Sequence, residues 1–227
     1  MFKFIGKKFL LLILVVSGFS ASAQYYYASY NYYTIGLKGG YDNYTYTFDE
    51  NQNINYEAQP NFSIGVTGGY YISWLFEAHA DLRYSTRNFN IRWSYPLDPQ
   101  GAVPALSEYK LAYIQVPIQG RINAVYTNWV KLSLGTGFLT EFRLRPQERV
   151  TYQNGSVSES QKSWLTKDFT AVLVGIPFSA NLKINLSRHV ALEFSGYYYL
   201  YLNKMHQVYM TKPGSSLGFY GGVFYEW

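Results

Sequence analysis

The chain has no cysteine in its 227 residues. That excludes a disulfide scaffold and any thiolate metal site. Charge is scarce, with Asp, Glu, Lys and Arg at 15 % of the composition, and histidine occurs three times. No apolar run, the one near the start included, approaches the ~20 residues that a membrane-spanning helix needs. No phosphate-binding loop, nucleophile elbow or metal-ligand spacing is present. The formal net charge of +5 hints at nucleic acid, but Lys3, Lys7 and Lys8 sit in the N-terminal segment. Taking those three from 19 basic residues leaves 16 against 14 acidic ones, a net +2. A basic nucleic-acid surface is not indicated.

Aromatics are abundant, at 20 % of the chain with 25 tyrosines. Tyr and Trp suit membrane–water interfaces, where an apolar ring and a polar tip are both satisfied. The N-terminal segment has the organisation of a secretory signal peptide. Met1–Lys8 is basic, Phe9–Val16 is an unbroken apolar run, and Ala21-Ser-Ala23 is a small-x-small cleavage site. The apolar run is too short to anchor a helix across a bilayer. Residues 1–23 are therefore expected to be removed, leaving 24–227.

The rest alternates with period two, the signature of strands with unlike faces. At the C-terminus, Phe219, Gly221, Val223, Tyr225 and Trp227 share one face, and Tyr220, Gly222, Phe224 and Glu226 the other. Seven earlier segments follow the rule: near 34–48, 61–73, from 75, 109–126, 130–144, 172–184 and 190–202. Tight links fall at 73–74, 126–129 and 187–189, and long polar ones at 49–60, 94–108, 146–166 and 203–216. Eight strands with alternating short and long links predict an all-β, antiparallel, up-and-down transmembrane barrel. Both termini are expected in the periplasm and the four long loops outside.

A lipocalin-like soluble barrel has the same strand count with its apolar face inward. Three features favour the membrane version. The polar faces are rich in Gly, Ser, Gln and Asn and poor in Lys, aromatics cluster at strand ends, and the final strand stops on an exposed aromatic. Phe219, Val223, Tyr225 and Trp227 are accordingly read as a C-terminal assembly signal. Two local irregularities stand out. Apolar parity switches after Tyr41 and after Tyr84, through a bulge or because the strand leaves the membrane. Pro117 and Pro177 lie on the polar faces and are each expected to mark a bulge. Asn154-Gly155, in the longest loop, predicts a type I′ hairpin turn, with the fifth and sixth strands pairing as a ribbon beyond the membrane.

With the apolar faces outward, the lumen carries Lys38, Asp42, Glu77, His79, Asp81, Arg83, Arg121, Glu141, Arg143, Lys183, Glu193 and Glu226. An eight-stranded interior is just filled by side chains, so charges of both signs there must pair. A salt-bridged plug is the expectation, with a proton or ion path as the sharper alternative. Catalysis is not indicated. His79 lies on the charged face, His189 in a turn and His206 in a loop, so no Ser/His/acid set forms. No catalytic residue, metal site or cofactor is expected. The glycosylation-type triplets at Asn43, Asn61, Asn154 and Asn185 are read as chance in an Asn- and Ser-rich chain.

The stretches Gly36-Leu-Lys-Gly-Gly-Tyr41, Tyr113-Ile-Gln-Val-Pro-Ile118 and Phe219–Trp227 resemble the PorT-like outer-membrane β-barrel domain family. Its architecture is similar to that of OmpA- and OmpX-type eight-stranded barrels. The family includes a member implicated in protein secretion and gliding. The resemblance implies a non-enzymatic outer-membrane protein, a structural or accessory subunit of an envelope assembly. A narrow channel or a component of a secretion translocon is the alternative. Expected partners are outer-membrane lipid, the barrel-assembly machinery during insertion and a larger outer-membrane complex. Nucleic acid is not among them.

Overall fold

The computed structural model describes residues 32–45, 54–94, 103–144, 147–160, 169–205 and 212–227. The proposed signal peptide and His206 lie outside them. The described residues form strands and turns with no helix: β1 (Tyr32–Thr45), β2 (Ile54–Ala58), β3 (Asn61–Tyr71), β4 (Phe76–Trp93), β5 (Pro104–Tyr126), β6 (Val130–Arg143), β7 (Gln147–Tyr152), β8 (Val157–Ser160), β9 (Val172–Asn185), β10 (Val190–Tyr201) and β11 (Ser215–Glu226). Eight of them close a ring in the order β1-β3-β4-β5-β6-β9-β10-β11, all antiparallel. The first and last strands seal it, from Thr34↔Glu226 to Thr45↔Ser215. Closure removes the free edges that would otherwise invite aggregation.

Alternation decides which face is which. Ile35, Leu37, Ile64, Leu82, Ile118, Leu134, Phe194 and Val223 are exposed on the outer wall, Leu37 at 67 %. A soluble protein would bury such side chains; here they form a continuous belt. Along β4 the belt runs from Phe76 to Tyr84, about 27 Å of strand at ~3.4 Å per residue. The inward residues of the same strands are polar and buried. The soluble-barrel arrangement is thereby excluded.

The barrel is taller on one side than the sequence pattern indicated. β2 pairs with the outer half of β4 from Ile54↔Trp93 to Ala58↔Phe89, continuing the line of β3. β7 continues the line of β6 along β5, and β8 pairs only with β7. Strands thus occupy parts of the expected loops at 49–60, 94–108 and 146–166. β2 does alternate, Ile54, Tyr56 and Ala58 against Asn55 and Glu57, but over only five residues, and β7 and β8 are largely polar. The hairpin at Asn154-Gly155 is present but joins β7 to β8. It is a three-residue loop, not a type I′ turn. Gly155 N–H donates to the Tyr152 carbonyl at 3.0 Å, and only Gly155 has positive φ, at 81°. This is the type I turn followed by a left-handed glycine, which leaves Asn154 in ordinary backbone.

Neither parity switch is a bulge. On β4, Glu77, His79, Asp81, Arg83, Ser85, Arg87, Phe89 and Ile91 all face inward with unbroken spacing. Facing is constant; the inward chemistry changes from charged to apolar. On β1, Tyr44 faces inward like Lys38 and Asp42, and Tyr46 and Phe48 lie outside the described residues. The prolines are not bulges either. Pairing of β4 with β5 stops at Ala80↔Ile118 and resumes at Arg83↔Gln115 in the same register across Pro117. β6 with β9 likewise skips from Thr136↔Phe178 to Leu139↔Gly175 across Pro177. Each proline removes a ladder donor, and the flanking pairs hold the register. The register does shift at Asn123/Val125, near the short-turn end.

Candidate functional site: the charged lumen

The lumen is filled in layers. At the short-turn end, the Lys131 ammonium lies 3.1 Å from Glu226 Oε1 and donates to Tyr32 Oη at 2.6 Å. The rings of Tyr32, Tyr71 and Tyr126 surround it at 4.9, 4.9 and 5.3 Å. Lys183 spans from Glu226 at 3.5 Å to Glu193 at 3.9 Å and donates to Tyr71 at 3.1 Å. Glu193 is the hub of the next layer, with Lys38 at 2.8 Å and Arg121 at 3.3 Å. Arg121 also approaches Glu77 at 3.5 Å.

Above them, Glu77, His79 and Asp81 stand in a row on β4. Each ring nitrogen of His79 is 2.9 Å from a carboxylate oxygen, Nδ1 from Glu77 and Nε2 from Asp81. Thr67 donates to Asp81 at 2.5 Å. Arg83 lies 3.7 Å from Asp81, donates to Tyr199 at 2.5 Å and is boxed by the rings of Tyr197, Tyr199 and Tyr220. Tyr220 donates to Asp42. The last polar layer is Arg87 with Glu141 at 2.7 Å, joined by Gln115 and Tyr201. The Arg87 guanidinium lies 3.5 Å from the centre of the Tyr44 ring.

The loop end of the lumen is apolar. Phe89, Ile91, Tyr109, Leu111, Leu139, Phe169, Leu173 and Met205 are buried together. Phe169 and Met205 come from connections rather than strands. Hydrogen bonds hold them there: Thr170 N–H to the Met205 carbonyl at 2.8 Å and Arg143 Nη1 to the Phe169 carbonyl at 2.5 Å. This apolar layer, with Glu148 held beside it by Tyr109 Oη at 3.0 Å, caps the ion-paired layers.

In the charged layers, Lys38, Arg83, Arg87, Arg121, Lys131 and Lys183 thus face Asp42, Glu77, Asp81, Glu141, Glu193 and Glu226, and a further buried carboxylate, Glu148, accepts from Tyr109 Oη at 3.0 Å nearer the loop end. Pairing is required here, because a lone buried charge costs several kcal/mol. Of the residues singled out from sequence, Lys38, Glu77, His79, Asp81, Arg83, Arg121, Glu141, Lys183 and Glu193 come together as buried side chains. Arg143 does not. It is half-buried at the rim, where it donates to the Phe169 carbonyl at 2.5 Å. Arg87 and Lys131 were missed, although both lie on inward positions in strict alternation. Tyr71, Tyr197, Tyr199 and Tyr220, on the polar faces of the alternation, fill the lumen together with Tyr201, so much of the tyrosine content serves the interior and not an outer girdle. Phe219, Val223, Tyr225 and Trp227 are exposed on the outer wall, Trp227 at 56 %. Among the described residues, no cluster of His, Asp and Glu could hold a metal ion.

A closed antiparallel ring with an apolar exterior and a salt-bridged interior is an integral membrane β-barrel. The sequence profile of the outer membrane protein beta-barrel domain family matches residues 20–207. The chain belongs to that family and so to the outer membrane. Among solved structures, it is similar to the outer membrane protein OprG of Pseudomonas aeruginosa, with TM-score 0.53 and 10 % identity over 88 % of this chain and 98 % of that one. Ail, the attachment invasion locus protein of Yersinia pestis, matches with TM-score 0.46 and 10 % identity over 87 % and 99 %. Neisserial surface protein A gives 0.45 and 14 % over 85 % and 96 %. At these identities the OprG likeness concerns the fold alone. Curated protein sequences give no match.

Proposed function

We propose that this protein is a non-enzymatic structural or accessory subunit of an outer-membrane assembly. The observation that carries the reading is the filled lumen. Six buried cations lie among carboxylates that ion pairs and tyrosine or serine hydroxyls hold, and an aromatic layer closes the loop end. Such an interior leaves neither a catalytic group facing substrate nor a continuous aqueous path. The working surfaces are then the outer wall, the loop-end strands and the short-turn mouth. The short turns and both termini face the periplasm and the long connections face outward in this reading, with residues 1–23 removed as a signal peptide. The alternation of link lengths supports that orientation. The resemblance to the PorT-like family narrows the setting to envelope complexes of the secretion type. Phe219, Val223, Tyr225 and Trp227 serve insertion by the barrel-assembly machinery.

Co-purification in mild detergent tests the accessory role. A stoichiometric outer-membrane or periplasmic partner, retained through size exclusion, is the expected result. A protein that elutes alone at every detergent concentration, from membranes isolated at native expression, contradicts it.

A further inference from the structure

The ladder of the ring is broken at two places, and both lie on the flanks of one hairpin. β4 and β5 pair up to Ala80↔Ile118 and again from Arg83↔Gln115, so Asp81 and Leu82 have no ladder pair with Val116 and Pro117. β6 and β9 pair up to Thr136↔Phe178 and again from Leu139↔Gly175, which leaves Gly137 and Phe138 opposite Ile176 and Pro177. Between the gaps, β5 and β6 stay paired to each other from Tyr113↔Arg143 to Asn123↔Ser133. Pro117 pairs with Leu139 in that stretch, so the two gaps are nearly level. The other neighbour pairs of the ring run without a gap.

Position makes these gaps costly. Ile118 and Phe138 beside them are exposed on the outer wall, so the gaps lie within the apolar belt. Backbone groups freed there meet no water in the hydrocarbon, and a proline offers no N–H to close the ladder. The side that can satisfy them is the lumen. Behind the hairpin the lumen is polar and largely uncharged: Gln115, Gln119, Ser133 and Ser179 are buried there, and Gly135 and Gly137 add no side chain. Gln115 Oε1, Gln119 Nε2, Asn123 Oδ1 and Glu141 Oε2 have no hydrogen-bond partner among the described residues, and β5 carries more such buried atoms than any other strand. Buried polar atoms of this kind are usually met by water.

We propose that the β5–β6 hairpin is a movable panel of the barrel wall. Intact pairing pins it at both ends, by Glu77↔Arg121 and Val130↔Ile184 toward the short turns and by Arg83↔Gln115 and Phe142↔Val172 toward the loops. Its middle bows as one unit, because its internal pairing is continuous while both flanks lack ladder bonds. Bowing admits water to Gln115 and Gln119 and leaves the ion-paired layers in place. The barrel thus breathes sideways without opening along its axis.

Residue-resolved hydrogen–deuterium exchange of the full mature chain in lipid nanodiscs tests the panel. An amide without a ladder partner exchanges whether or not anything moves, so the readout is the intact pairs that bound the gaps. These are His79↔Gln119 and Arg83↔Gln115 on one flank, and Gly135↔Ser179 and Leu139↔Gly175 on the other. Their amides are expected to exchange on the order of tenfold faster than those of Gly39↔Gly221 in the gapless β1–β11 seam. Pro117→Ala restores a donor on the β4 flank. It should also slow exchange several-fold at Gly135↔Ser179 and Leu139↔Gly175, on the opposite flank, where a purely local repair changes nothing. Pro177→Ala should do the reverse, and Gly39↔Gly221 should respond to neither. Folded gel mobility is confirmed first, and the wild-type comparison stands even if a variant fails to fold. Bounding pairs that exchange as slowly as the seam, or slowing confined to the repaired flank, would overturn the proposal.

Discussion

Lys38 and Glu193 meet across Gly222. The two charged residues lie on β1 and β10, which are not neighbours, and β11 runs between them. Gly222 pairs with Lys38 on one side and with Glu193 on the other. Because that position has no side chain, the ammonium and carboxylate reach 2.8 Å over the top of it. The device recurs: Gly65 separates Lys38 from Arg83, and Gly135 lies beside Arg121. Long charged side chains fill the lumen because residues without side chains stand next to them.

Gly222→Val should therefore destabilise the barrel by about 1–3 kcal/mol, the usual cost of overpacking a filled core. A Cβ there would meet the Leu37 carbonyl at 2.8 Å and Lys38 Cβ at 3.3 Å. Gly221 next door faces outward, and a Cβ on it meets nothing within 4 Å. Gly221→Val should be close to neutral. Urea unfolding in lipid vesicles, followed by the loss of folded gel mobility, measures both. Equal sensitivity at the two positions would contradict the lumen packing.

Glu193 is the most connected lumen carboxylate, facing Lys38, Arg121 and Lys183. Glu193→Ala leaves those cations without their shared anion and should cost about 3–5 kcal/mol. Arg121→Ala should cost a similar amount, since it exposes Glu193 and Glu77 to each other's charge. Glu193→Gln, which keeps an acceptor, should fall between Ala and the wild type. Unfolding midpoints that do not move would mean the network is solvated rather than buried.

The outer wall makes a separate prediction. Arg at Leu134, which is 59 % exposed there, should cost about 2–4 kcal/mol at mid-bilayer depth. Arg at Val116 or Val174 on the same wall should behave alike. The effect should appear in vesicles and shrink in short-chain detergent, where the bilayer penalty is absent. Arg tolerated at all three positions in vesicles would place the belt outside the membrane.

Deleting Trp227 should impair insertion and leave unfolded, protease-sensitive protein in the periplasm. The residue ends the outward row of Phe219, Val223 and Tyr225, and its N–H donates to the Tyr33 carbonyl at 3.1 Å across the β1–β11 seam. The proportion of heat-modifiable protein in outer-membrane fractions reports the result. Wild-type levels of folded truncation would remove these residues from the assembly signal.

The ring of strands was legible because each crosses an apolar belt, so one face had to be apolar over its whole length. Where that constraint ends, the pattern ends too. β2, β7 and β8 stand beyond the belt; the apolar alternation of β2 lasts only five residues, and β7 and β8 are largely polar. The lumen charges were legible by parity, and Arg143 fails the rule only because β6 reaches the rim there. The tyrosines could not be assigned from composition, because a ring with a hydroxyl satisfies both a membrane interface and a charged interior. Tyr197 and Tyr199 carried the inward parity all the same. Pro117 and Pro177 misled for a different reason: a missing donor can be absorbed by flanking pairs without a shift in register.

The central claim is that the lumen is closed, and single-channel recording in planar bilayers addresses it most directly. The purified protein should give no resolved steps beyond the lipid baseline under either polarity. Removing the loop-end stopper through Phe169→Ala should leave that unchanged, because the paired layers below still fill the barrel. Steady conductance from the wild type, with ion selectivity altered by Arg121→Ala while the barrel stays folded, would contradict the plugged lumen and make transport the primary function.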